Sequence, residues 1–203
     1  MNKSLLSLAA AAVMLLGATS ANAVVYTFNA ALNGANEVGA LSAATATGVA
    51  TLSYDTVRNT YDFSMAVFGL SGGAVAGTAA SAFHIHGAAS TTENAPVRIG
   101  LDNPALFTSL NSGSTLLVGG SNVAASAIPA TPATGLNQGY SAMTFLQLLQ
   151  GGLAYVNVHT AANPGGAVRG QLVQVSAVPE PSTYAMLLAG IAALGFVARR
   201  RQR

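Results

Sequence analysis

The sequence predicts an all-β fold: an antiparallel Greek-key sandwich or barrel with one short helix, flanked by apolar helical targeting segments at both ends. Three observations carry this expectation. Short runs alternate apolar and polar residues with period two, the mark of half-buried antiparallel strands. Gly-rich turns punctuate the chain at the close spacing typical of sandwiches and barrels. Only one stretch in the middle of the chain has helical caps and helical spacing.

The N-terminus, "MNKSLLSLAAAAVMLLGATSANA", has a single positive charge, Lys3, then an apolar run over residues 5–16. It closes on Ala21-Asn22-Ala23, a small-x-small cleavage pattern, so residues 1–23 are expected to be a secretory signal peptide removed by signal peptidase after Ala23. A β domain over residues 24–177 should follow.

"VVYTFNAAL" sets Tyr26, Phe28, Ala30 and Leu32 on one face, and "GVATLSYD" does the same with Ala50, Leu52 and Tyr54. "TYDFSMAVFGL" places Tyr61, Phe63, Met65 and Val67 together, and residues 55–60 read as a hairpin connection. Later strands are expected in "AFHIHG", "VRIGL", "LLVGG", "LAYVNVHT" and "AVRGQLVQV", with loops around one or two strands over residues 103–138. "YSAMTFLQLLQGG" offers Ser141 as N-cap and Gly151 as stop for the helix.

Charge and cysteine usage exclude several functions. Residues 24–177 hold three arginines (58, 98 and 169) against five carboxylates (37, 55, 62, 93 and 102), a net charge of −2. The basic character of the whole chain lies in its ends, so no nucleic-acid partner is expected. There is no cysteine, hence no disulfide, thiolate ligand or thiol nucleophile. "GLSGG" at residues 69–73 fits G-x-S-x-G, but no helix pattern follows to build a nucleophile elbow. No catalytic residue is assigned.

The chemistry resides in the three histidines. In a strand, residues two apart share a face, so His84 and His86 of "FHIHG" point together while Phe83 and Ile85 point to the core. In "YVNVHT", Tyr155, Asn157 and His159 share the face opposite Val156 and Val158. If the two strands are neighbours, three imidazoles converge on a site suited to copper or zinc with one coordination position open. Arg169 stands in a further strand, where it would back the site or bind an anion. The alternative is that the histidines simply hydrogen-bond loop carbonyls.

"LNGANEV", "HIHGAAS" and "GGLAYVNVHTAANPGGAVRGQL" resemble the CHRD domain, named for its occurrence in chordin. Family members often have Pro after the Glu-Val of the first motif, where this chain has Gly39. The His-Ile-His and Val-Asn-Val-His strands also look like the copper-ligand strands of Cu/Zn superoxide dismutase. That resemblance implies a superoxide-dismutase-like barrel, with Arg169 in the place of an anion-guiding arginine. The chain departs from that pattern in lacking the disulfide, a bridging histidine and a zinc-loop ligand set.

Residues 178–203 resemble the PEP-CTERM sorting signal: Pro179-Glu180-Pro181, an uncharged run over residues 184–198, and a basic end at Arg199, Arg200, Arg201 and Arg203. As a helix the run is about 22 Å long, against roughly 30 Å of hydrocarbon. It therefore spans only where flanking residues snorkel or the bilayer thins. The resemblance implies transient insertion of this segment as a transmembrane helix in the inner membrane. It further implies removal by an exosortase-type protease and delivery to the cell surface or extracellular matrix of a Gram-negative bacterium. The function expected from all this is an exported β-domain with a binding or structural role, with extracellular polysaccharide as a candidate partner. A copper- or zinc-binding, redox-related domain using His84, His86 and His159 is the alternative.

Overall fold

A computed structural model describes residues 24–39, 44–75, 82–175, 188–191 and 199. The signal peptide, its cleavage site at Ala21 and Ala23, and Pro179, Glu180 and Pro181 lie outside the described residues. So does most of the C-terminal apolar segment, of which residues 188–191 are helical. Among the described residues no helix is long and apolar enough to cross a membrane.

The strands are β1 (Val25–Asn33), β2 (Thr47–Asp55), β3 (Thr60–Phe68), β4 (Phe83–His86), β5 (Val97–Gly100), β6 (Thr108–Ser112), β7 (Thr115–Ala124), β8 (Tyr155–Val158), β9 (Val168–Gln171) and β10 (Val173–Gln174). One helix, α1 (Phe145–Gln150), precedes β8, and a 3-10 turn (Gly34–Asn36) follows β1. The strands form one antiparallel sheet in the order β5-β4-β8-β9-β1-β2-β3-β7-β6, with β10 also beside β1. The sheet curls into a half-barrel. Its two edges, β5 and β6, are joined by residues 101–107, a link that reaches at most about 27 Å. The all-β expectation holds, as one curled sheet.

Alternation decides which residues line the inside. Phe28, Leu32, Leu52, Phe63 and Val67 from β1–β3 pack with Ile85, Val156, Val158 and Val168 from β4, β8 and β9 in one buried cluster. Each fully buried side chain of this size contributes about 1.5–3 kcal/mol. Among the described residues every buried member of the cluster falls between Phe28 and Leu172. The helix starts later than Ser141 suggested. Thr144 is the N-cap, accepting from the Gln147 amide while the Gln147 side chain accepts from the Thr144 amide. That reciprocal box outcompetes Ser141, because residues 128–143 are held instead in bridges such as Ile128 to Met143. "AVRGQLVQV" splits into β9 and β10 around Leu172, which turns into the core.

Two features of the frame bear on the site. Asn33, Arg169, Asn157 and His84 form one row across β1, β9, β8 and β4. Gly170 permits this close approach, since a Cβ there would lie 2.6 Å from the Ala31 carbonyl oxygen. At the other end of β1 the entry and exit of the β domain meet: Thr56 N–H donates to the Val24 carbonyl and Val175 N–H to the Thr27 carbonyl.

Candidate metal centre

The condition left open by the sequence is met: β4 and β8 are neighbours. Their register sets His84 opposite Asn157 and His86 opposite Tyr155. His159 follows β8 directly and extends the ladder by donating its amide to the Ala82 carbonyl at 2.9 Å. One ring nitrogen from each of His84, His86 and His159 lies within 4.8 Å of the other two. Their Nε2 atoms are 3.0 Å apart in the His84–His159 pair, and the His84 and His86 ring centroids are 4.3 Å apart.

Hydrogen bonds define the tautomers. His86 Nδ1 is 2.7 Å from the Ala95 carbonyl oxygen, and His159 Nδ1 is 2.8 Å from that of Pro164. A carbonyl only accepts, so both Nδ1 atoms carry the proton and both Nε2 atoms present a lone pair. In the His84–His159 contact the donor is therefore His84 Nε2–H. Burial, reinforced by the neighbouring His84, pushes His86 down to about 3. Burial also lowers His159, against the opposing pull of the Pro164 carbonyl. Both are neutral at physiological pH, the form that ligates metals.

These residues fit a transition-metal ion on their own geometry. His86 Nε2 is buried with no hydrogen-bond partner, an unsatisfied lone pair aimed among imidazoles. Metal–nitrogen bonds of about 2.0–2.1 Å put cis ligand nitrogens about 2.9 Å apart at right angles and about 3.4 Å apart in a tetrahedron. The 3.0 Å His84–His159 separation lies in that range, and an ion taking both Nε2 atoms would replace this hydrogen bond, with the His84 proton moved to Nδ1. Nδ1–H bonded to a backbone carbonyl is also how ligating imidazoles are oriented from behind.

The histidine face lies outside the apolar core, but it is not open to solvent. His84 is 0 % and His159 3 % exposed. Residues 88–95 fold over this face, tied down by Arg169. Its Nη1 donates to Asn94 Oδ1 at 2.9 Å, and its Nη2 to the Ser90 and Glu93 carbonyls at 3.1 and 2.8 Å. Its Cζ sits 3.5 Å from the Tyr155 ring centroid, and Tyr155 stacks on His86 at 4.5 Å and 10°. Arg169 is 1 % exposed, with Nη1 and Nη2 bonded to the cover and its guanidinium against the Tyr155 ring.

Glu93 belongs to the cover and not to the ligand cluster. Its carboxylate accepts from the Ser90 and Gln138 amides and from the Tyr140 hydroxyl. These bonds, the Tyr140 one foremost, hold it down to about 2. Asn137 braces the same loop by donating to the Ala88 and Asn94 carbonyls. Ser71 of "GLSGG" is an exposed bend.

One residue escaped the sequence reading. Glu37 is 9 % exposed, and burial pushes it up to about 7 despite the counter-effects of Arg169 and Asn157. Asn157 donates to its Oε2 at 3.4 Å, and Gly166 clears room for it, since a Cβ there would lie 2.5 Å from Oε1. The only hint in the sequence was its place in "LNGANEV".

The structure is thus a curled antiparallel half-barrel with three convergent imidazoles under a polar cover. The CHRD domain matches residues 28–172, and the chain belongs to that family. The PEP-CTERM protein-sorting motif matches residues 177–201. No curated protein and no solved structure matches the chain. The sorting motif marks an exported protein, processed by an exosortase-type system and sorted to the cell surface in Gram-negative bacteria.

Proposed function

We propose that this chain is an exported cell-surface domain that binds a single copper or zinc ion through His84, His86 and His159, in a binding rather than a catalytic role. The observation that carries the reading is the buried His86 Nε2 lone pair, unpartnered beside two imidazoles whose nitrogens lie within 4.8 Å. Bound there, the ion would supply Lewis acidity and, if copper, one-electron chemistry. The chain's own groups do the rest. Ala95 and Pro164 orient two imidazoles, Tyr155 and Arg169 hold the His86 ring plane, and the residue 88–95 cover limits water.

The test is titration of residues 24–177 with Cu(II) and Zn(II), the buried core of the described residues lying in that span. One equivalent should bind the wild type, with His84→Ala/His159→Ala losing it. Equal binding by both proteins would end the metal reading. We further propose that residues 1–23 are removed before the domain reaches the surface, and that exosortase-type processing follows transient insertion of the C-terminal segment.

A second reading concerns matrix attachment. An open groove of about 640 Å³ is lined by Thr51, Ser53, Asp62, Ser64, Thr108 and Ser121 together with the apolar residues 63 and 104–107. Hydroxyls and a carboxylate of this kind suit extracellular polysaccharide. Retention on polysaccharide that is unchanged by Asp62→Ala/Ser64→Leu would argue against the groove.

A further inference from the structure

A cleft of about 320 Å³ lies where the two halves of the strand order face each other. That is near the lower bound of small-molecule sites, roughly 300 Å³. β5 contributes Arg98, β7 contributes Val123 and β3 contributes Tyr61. Leu106, Ile128 and Phe145 extend the apolar wall. Tyr61, Val123, Ile128 and Phe145 are all buried members of the core cluster, so the cleft is cut into the core itself.

Two polar groups in this cleft have hydrogen-bonding capacity left over. The Arg98 guanidinium is held from behind, Nε donating to the Gly87 carbonyl and Nη2 to Thr131 Oγ1 at 2.7 Å. A guanidinium carries more N–H groups than these bonds use, and those left, on Nη1 and Nη2, form the end-on fork that grips a carboxylate. Both present acceptors are neutral, and Arg98 has no carboxylate partner among the described residues. Tyr61 is 2 % exposed, yet its hydroxyl makes no hydrogen bond to a described residue. A buried tyrosine ordinarily finds a partner for that group. Burial pushes the Tyr61 phenol above its ordinary value, so it stays an O–H donor.

We propose that this cleft binds a small organic monocarboxylate with a compact apolar body. The carboxylate sits on the free Arg98 fork, the body packs against Phe145, Ile128 and Val123, and the Tyr61 hydroxyl supplies a further donor. Charge and wall together select this occupant. One unpaired cation matches one negative charge, and a planar oxyanion fits the fork bidentately. No second cation lines the cleft, and the net charge of −2 over residues 24–177 disfavours a polyanion. The volume corresponds to about ten waters, which is a single ring or a short chain.

The full-length chain, held in lipid nanodiscs with empty nanodiscs as the blank, is titrated with benzoate and with benzamide by saturation-transfer NMR. Benzoate should saturate with a Kd of about 1 mM or tighter. Benzamide, the same ring without the charge, should bind at least about tenfold more weakly. Arg98→Gln should weaken benzoate by a similar factor, and Tyr61→Phe by about 3–10-fold. Arg98 also braces Gly87 and Thr131, so Ala127→Glu supplies an arm that leaves that brace in place. It sets a competing carboxylate at an exposed lining position and should abolish benzoate binding, with Tm within about 2 °C of wild type. Benzoate that fails to saturate by about 10 mM, benzamide that binds as tightly as benzoate, or unchanged binding in any of the three variants would overturn the proposal. No arm uses metal, so the outcome is independent of the histidine site.

Discussion

The guanidinium of Arg169 lies over the ring of Tyr155, its Cζ 3.5 Å from the centroid, and the far side of that ring stacks on His86. This column couples the cover to the candidate site, since the same guanidinium holds Ser90, Glu93 and Asn94. Arg169→Lys keeps the charge but cannot hold three acceptors with a planar fork. Denaturant unfolding should show a loss of about 2–4 kcal/mol, the scale of buried charge-assisted bonds left unmade. An unchanged midpoint would mean the cover stands without it.

Tyr155 offers a more selective probe of the metal reading. Tyr155→Leu retains an apolar side chain but removes the stacked plane and the hydroxyl that accepts from the Ala95 amide at 3.1 Å. Competition titration should report copper or zinc affinity reduced about 10–100-fold, as for other groups that orient a ligand from behind.

Acid and base act on different groups. His86 titrates lower folded than unfolded, so its contribution is full above its ordinary 6.5 and drains away as pH falls toward about 3. Glu93 behaves likewise between 4.5 and about 2. Glu37 has the opposite sign: raised to about 7, it favours the fold most below 4.5 and progressively less as pH climbs through 7. Glu37→Gln should therefore gain on the order of 2 kcal/mol over wild type at pH 8, with the advantage gone near pH 4. Urea unfolding at the two pH values measures this directly.

The helix start has a local test. Thr144→Ala removes the side-chain acceptor for the Gln147 amide and should cost about 1 kcal/mol. Ser141→Ala should cost far less, because Ser141 caps nothing in the described hydrogen bonds.

Processing leaves a mass signature. Intact mass of the surface protein should place its first residue at Val24, whose backbone N already bonds Thr56 Oγ1 at 3.3 Å. A first residue upstream of Ala23 would refute cleavage at that position.

The sequence made β1, β2 and β3 legible because each buries one face only, and period two is then written directly into residue type. The shared face of His84 and His86 was legible for the same reason. Their meeting with His159 was not, since strand neighbours separated by about 70 residues leave no local trace. Burial of the histidine face was also hidden. β4 and β8 are buried on both sides, one by the core and the other by residues 88–95, which have no periodicity to announce that they are a cover. Glu37 was missed because its environment is supplied by Asn157 and Gly166, both more than 100 positions away.

The entry and exit of the β domain meet beside Thr27 and Thr56. The row of Asn33, Arg169, Asn157 and His84 crosses β1 six residues further on, about 20 Å up the strand. The domain's entry at Val24 and its exit at Val175 therefore lie at one end of β1, and the row that carries His84 crosses at the other, so additions at either boundary start about 20 Å along the strand from that row.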